Sequence, residues 1–377
     1  MRRSHTLHRF IAVAATSALT LLALSGVAPP AEARGLEASG AVFTMTNEDT
    51  GNAVVAFRRS ARGRLSYLGT FDTGGLGSGG GLGNQGGLVL DRDGHHLLVV
   101  NAGSDSLSVF RVRPRGLKLV DTVASGGTRP ISVTTHGDLV YVLNAGGLGN
   151  ISGFELGTDG SLSPLAGSTR PLSGPGTAPA QVGFSRNGRA LVVTEKATNT
   201  IVSYVLGSDG LPSGPIVTAS EGATPFGFSF GHRNRLFVSE AVGGAFEAST
   251  VSSYDLLANG SLTPITSALA TTETAACWLV VTGNGRFAYV TNTGSDSVSG
   301  IHIARSGVLS LLDADGATGQ AGDAPIDAAL SRNSRFLYVL NAADDSLSAF
   351  AVHADGSLAS LNGIGGLPAS VNGLAAR

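Results

Sequence analysis

Residues 323–361 read DAPIDAALSRNSRFLYVLNAADDSLSAFAVHADGSLASL, and the pattern in this stretch decides the fold. Four short runs of alternating apolar residues follow one another. IDAAL comes after Pro325, RFLYVLN after a turn at Asn333-Ser334, LSAFAV after a polar tip from Ala342 to Ser346, and LASL after Asp355-Gly356. Alternation marks strands with a buried face, and Asp-Gly between two such runs is a hairpin signal because the tight turn needs positive φ. One four-stranded meander cannot bury its faces alone, so copies of it must stack.

The copies are present. The second run recurs seven times, ending at Asn47, Asn101, Asn144, Glu195, Glu240, Asn292 and Asn341, at spacings of 43 to 54 residues. The third run follows in step as VVAF, LSVF, ISGF, IVSY, VSSY, VSGI and LSAF, each leading to a glycine-bearing turn such as Asp159-Gly160 or Asn259-Gly260. Period, strand type and turn chemistry together predict an all-β, seven-bladed β-propeller with four-stranded antiparallel blades. The first copy has no innermost strand of its own. Residues 368–377 (PASVNGLAAR) open like the third copy at Pro130 (PISV), so the C-terminal strand is expected to complete blade one and close the ring.

The first 33 residues differ from the rest. Arg2, Arg3 and Arg9 precede an apolar run from Phe10 to Leu24, then Pro29-Pro30 and Ala31-Glu32-Ala33. This is the pattern of a secretory signal peptide cleaved before Arg34, leaving residues 34–377 as one propeller domain. The run is short for a membrane span, so a secreted, extracellular protein is expected, exported by the general or the twin-arginine route.

Bulk composition narrows the function. Charged residues are 14% of the chain and the formal net charge is −2, so there is no basic field to attract nucleic acid. The single cysteine, Cys277, rules out an internal disulfide and reads as a small buried hydrophobe. No cofactor motif is present: the glycine-rich stretch 74–87 (GGLGSGGGLGNQGG) lacks the Lys-Ser/Thr ending and the helix of a phosphate loop, and is expected to form a flexible lid between blades one and two. A monomer is expected, with a small molecule, a glycan or a protein as its ligand.

Up-and-down blades place the second-to-third turns and the blade-to-blade loops on one face, around the mouth of the central channel. Ligand sites favour such a mouth. Of 8 histidines, His5 and His8 lie in the leader, and His95, His96, His136, His232, His302 and His353 all fall on the opposite face or near the rim. A histidine base or metal cluster at the mouth is therefore disfavoured. The ends of the second runs form a ring there, and where five carry Asn, neighbouring blades four and five carry Glu195 and Glu240. Paired carboxylates can split into an acid and a base, so these two are the candidate catalytic residues. Arg129, Arg170 and Lys196 are candidates for an anionic ligand, and Gln181, Phe226 and Trp278 for lining the channel.

The segments YVLNAADDSLSAF and YVTNTGSDSVSGI, with their DG turns and the opening PIDAALSRNSRFLYV, resemble the lactonase-like seven-bladed propellers, the family of bacterial 6-phosphogluconolactonase and fungal carboxymuconate cyclase. The resemblance covers nearly all of residues 41–377. It implies a ligand at the channel mouth held by a histidine, arginines and a glutamate from neighbouring blades. Here Ala178-Pro179-Ala180-Gln181 stands where the family has Pro-His, Pro225-Phe226-Gly227 stands where it has Pro-Arg-His, and Glu240 matches the glutamate. The expectation is a secreted binding propeller without histidine-based catalysis; the alternative is a lactone hydrolase or cycloisomerase working through Glu195 and Glu240.

Overall fold

A computed structural model describes residues 40–377; the leader and its cleavage point lie outside the described residues. Seven antiparallel sheets follow in chain order. Blade four is representative: Pro179–Phe184 innermost, then Ala190–Glu195, Thr200–Leu206 and Pro212–Ala219. In blades three and six the outermost strand is broken in two, Leu162–Pro164 with Arg170–Pro171 and Leu309–Leu311 with Gly319–Gln320. Blade two has the shortest innermost strand, Leu88–Leu90.

The strands alternate less in burial than their sequence suggests. All six residues of Phe336–Asn341 are buried, as are all six of Ala190–Glu195 and Phe287–Asn292. A second strand is sandwiched between neighbouring blades on both faces, so both sets of side chains lose water. Only the outermost strands, such as Leu65–Asp72, keep one wet face.

Ring closure is as expected. The C-terminal strand Asn372–Ala376 pairs antiparallel with Gly40–Met45, aligning Val42 with Ala376 and Phe43 with Ala375. The Arg59 guanidinium donates to the carbonyl of Arg377 at 3.1 and 3.2 Å, and Leu367, Val371 and Leu374 are buried against Val42, Phe57 and Tyr338. The glycine turns have a second use. Tyr141, Tyr289 and Tyr338 donate their hydroxyls to the carbonyls of Gly210, Gly356 and Gly63, each in the turn of the next blade, at 2.7 to 2.8 Å. Ser253 does the same to Gly307 at 2.8 Å. Buried phenols need such an acceptor, and here the acceptor also sets the blade-to-blade register.

Candidate functional site at the channel mouth

The glycine-rich stretch is not a free lid. Its second half crosses the channel and is pinned to blades on the far side of the ring. Trp278 of blade six donates its indole Nε1–H to the carbonyl of Asn84 at 2.6 Å. Gln85 exchanges two bonds with Leu279, Nε2 to O at 3.0 Å and N to Oε1 at 3.1 Å. The Gln85 N–H reaches Ala180 O of blade four at 3.1 Å, and Ser132 of blade three donates to Gln85 O at 2.7 Å. Leu82, Asn84 and Gln85 are buried. Glycine is required opposite as well: a Cβ on Gly227 would lie 2.1 Å from Gln85 Oε1. The expected lid is thus a strap, because the side chains and backbone groups of Asn84 and Gln85 find partners on three blades.

Beside the strap lies a cationic, aromatic corner. Lys196 follows the last residue of its strand, so it points away from the carboxylate of Glu195. Its Nζ donates to Gly83 O of the strap and sits 4.7 Å from the centroid of the Phe226 ring. Phe226 in turn packs on Trp278, centroids 4.8 Å apart. Burial pushes the amine down to about 8, partly offset by the nearby Cys277 and reinforced by the charge of Arg129. Burial likewise pushes the Cys277 thiol up to about 12, which makes it a poor nucleophile. Among the described residues the ion pairs are His96 with Asp91 and Arg235 with Asp255, so Lys196 has no carboxylate partner.

The two candidate carboxylates occupy separate sockets. Glu195 is fully buried and accepts from Ser173 N at 3.0 Å, Ser173 Oγ, Thr200 Oγ1 at 3.0 Å and Thr198 Oγ1 at 3.2 Å. Glu240, also fully buried, accepts from Gly222 N at 3.0 Å, Ser220 Oγ at 3.1 Å and Thr250 Oγ1 at 2.5 Å. These bonds share no partner. Burial raises the Glu240 pKa, against the pull of its hydroxyl and N–H donors. In blades two, six and seven the same socket holds an amide of opposite polarity: Asn101 Nδ2 donates to Ser106 and Ser108 at 3.2 and 2.8 Å, Asn292 Nδ2 to Ser297 and Ser299 at 2.9 Å, and Asn341 Nδ2 to Ser346 and Ser348 at 2.9 Å. Hydroxyls accept from Asn and donate to Glu, so one socket serves both. In blades four and five the acid also fastens the incoming blade-to-blade loop at Ser173 and Gly222.

Residues 36–168 match the family described as "Lactonase, 7-bladed beta-propeller". The chain is a seven-bladed β-propeller whose first part is similar to that family. Among solved structures it is similar to a candidate 6-phosphogluconolactonase of Bacteroides fragilis, at 19% identity and TM-score 0.73, covering 91% of this chain and 99% of that one. It is also similar to the periplasmic gluconolactonase of Pseudomonas aeruginosa, at 18% identity and TM-score 0.71 with 89% and 98% covered. A protein of Lactobacillus plantarum matches at 19% and 0.72, with 90% and 99% covered. At these identities the likeness is one of fold. No functionally curated protein matches the sequence.

Within this propeller the other predicted residues divide. Gln181 is a bridge between innermost strands, donating to Phe228 O at 3.1 Å and accepting from Phe228 N at 2.7 Å. Arg129 is exposed in the loop into blade three with φ of 53°, its N–H bonded to Asp105 at 2.6 Å and its side chain free of ion pairs. Arg170 belongs to the broken outer strand of blade three, paired with Ile151, and its guanidinium donates to Gly167 O and Thr169 O at 2.8 and 2.7 Å.

Sequence reasoning missed Asn84 and Gln85, whose signal was a pair of amides interrupting a glycine run just before an apolar strand. It also missed Asp327, buried on the innermost strand of blade seven, where burial raises its pKa well above the carboxylate range despite N–H donors from Ala328 and Leu374. A groove of about 570 Å³ lies at the rim between blades seven and one, lined by Phe57, Tyr67, Glu48 and Asp72 among others. None of the predicted site residues lines it.

Proposed function

We propose that this lactonase-like propeller binds a small anionic molecule, a sugar acid or its phosphate, at the channel mouth, and that it does so without the histidine-based catalysis of the family. The observation that carries the reading is Lys196: a half-buried ammonium on an aromatic corner, beside Arg129, with only the carbonyl of Gly83 to satisfy it. Burying a cation without a counter-charge is costly, and a ligand carboxylate or phosphate supplies the missing charge in a bonding geometry. Phe226 and Trp278 are buried behind the amine and hold it in place. Glu195 and Glu240 act as fasteners of inter-blade loops, because their oxygens are already taken by protein donors.

The family match and the gluconolactonase neighbour support a second reading, lactone hydrolysis or cycloisomerisation through Glu195 and Glu240. Hydrolysis of a panel of sugar-acid and muconate-type lactones separates the two. The binding reading expects no turnover above the uncatalysed rate. Steady turnover that disappears in Glu195→Gln and Glu240→Gln would establish the enzyme instead. Export from the cell is proposed on the leader sequence, and its test is N-terminal sequencing of the mature protein, expected to begin at Arg34.

A further inference from the structure

Of the 25 lysine and arginine residues only two are lysines, Lys118 and Lys196. Lys118 is exposed on an outer strand. The chain otherwise meets its need for positive charge with arginine, yet at the channel mouth it places the one basic side chain whose nitrogen can give up its proton and become a nucleophile. The surroundings suit that use. Nζ lies against the Phe226 ring, has no carboxylate to hold it protonated, and faces a strap whose residues Gly79, Gly80 and Gly81 are exposed.

Resting on the anion-site reading above, we infer that Lys196 is a covalent capture site for small carboxylate-bearing aldehydes and 2-oxo acids, with Arg129 drawing in the carboxylate and the Lys196 amine forming an imine with the carbonyl. The bond changes balance without any oxidant. The nitrogen lone pair attacks the carbonyl carbon, and the carbinolamine loses its hydroxyl with a nitrogen-bound proton as water. A carbon–nitrogen double bond remains, which water can reverse. The amine's depressed pKa of about 8 leaves a sizeable neutral fraction at mildly alkaline pH, where an exposed lysine is almost wholly protonated. The neighbouring thiol does not compete, because burial keeps it protonated.

The test is reductive trapping with glyoxylate and cyanoborohydride at pH 8, followed by peptide mapping of both lysines in the full chain, beside calorimetric titration with gluconate. The expected result is carboxymethylation of Lys196 at least about tenfold faster than of Lys118, from the difference in neutral amine. Lys118 is an internal standard, so no variant is needed for this comparison. Lys196→Arg, whose guanidinium forms no imine, is expected to lose the adduct. Labelling of Lys118 at an equal or greater rate would overturn the inference. So would intact gluconate binding with no adduct at Lys196, which leaves the anion site standing. Absence of gluconate binding would instead strike the anion-site reading, and the labelling ratio would still decide the lysine's reactivity by itself.

Discussion

The indole of Trp278 donates to the carbonyl of Asn84 at 2.6 Å, so blade six holds the chain segment that leads into blade two across the channel. This bond, with the two between Gln85 and Leu279, makes the strap part of the ring's mechanical closure as well as the roof of its mouth. Trp278→Phe keeps the packing on Phe226 and leaves the Asn84 carbonyl without its donor. The expected loss is about 1–3 kcal/mol. Limited proteolysis is expected to cut the variant within 79–83 faster than the parent, while the parent resists cleavage there.

The C-terminal strand is the other closure. Ending the chain at Gly366 removes Asn372–Ala376 and the buried Leu367, Val371 and Leu374, and exposes the open edges of Gly40–Met45. Burial of each such aliphatic side chain contributes roughly 1.5–3 kcal/mol, so the truncated protein is expected to lose its cooperative melting transition or to aggregate through the free edge. Circular dichroism melting and light scattering read both.

Asp327 gives a pH signature. Its folded-state pKa is raised by burial, so the folded protein favours the neutral acid. The stability this group contributes is complete below its unfolded pKa and declines as pH rises toward the folded one. Asp327→Asn keeps an acceptor for the Ala328 and Leu374 N–H groups and removes the titration. The variant should match the parent near pH 4 and become the more stable of the two as pH rises to 8, by on the order of 1–3 kcal/mol. Denaturant unfolding at several pH values checks the divergence, and parallel curves would contradict it.

Glu195 separates fastening from catalysis. Glu195→Gln keeps one oxygen for the Ser173 N–H, and the Thr198 and Thr200 hydroxyls can turn to accept from the new amide, as serines do from Asn292 and Asn341. A change below about 1 kcal/mol is expected. Glu195→Ala strands several buried donors and is expected to cost about 3 kcal/mol or more.

The architecture was legible in the sequence because a propeller repeats its evidence: seven strand ends, seven glycine turns and one strand displaced to the C-terminus all state the same fold. The ring of Asn and Glu positions was legible too, but its polarity was not. Whether Glu195 faces a ligand or Ser173 depends on where the loop from blade three returns, which no local pattern encodes. The break in the outer strand of blade three between Pro164 and Arg170 was hidden for a related reason, since the residues between them carry no clear signal. The strap was hidden by composition. Glycine-rich sequence reads as freedom, and only the partners of Asn84 and Gln85 on distant blades turn it into a fixed crossing.

The most direct test of the account is calorimetric titration of the purified protein with 6-phosphogluconate at pH 7, beside Lys196→Gln. The account predicts saturable one-site binding that weakens about tenfold or more in the variant, where the charge that meets the anion is gone. It also predicts that binding to the parent weakens between pH 7 and pH 9, as the Lys196 ammonium, with its pKa near 8, loses its proton. Identical isotherms for the two proteins, or binding that does not change across that pH range, would contradict the assignment of the anion site to Lys196.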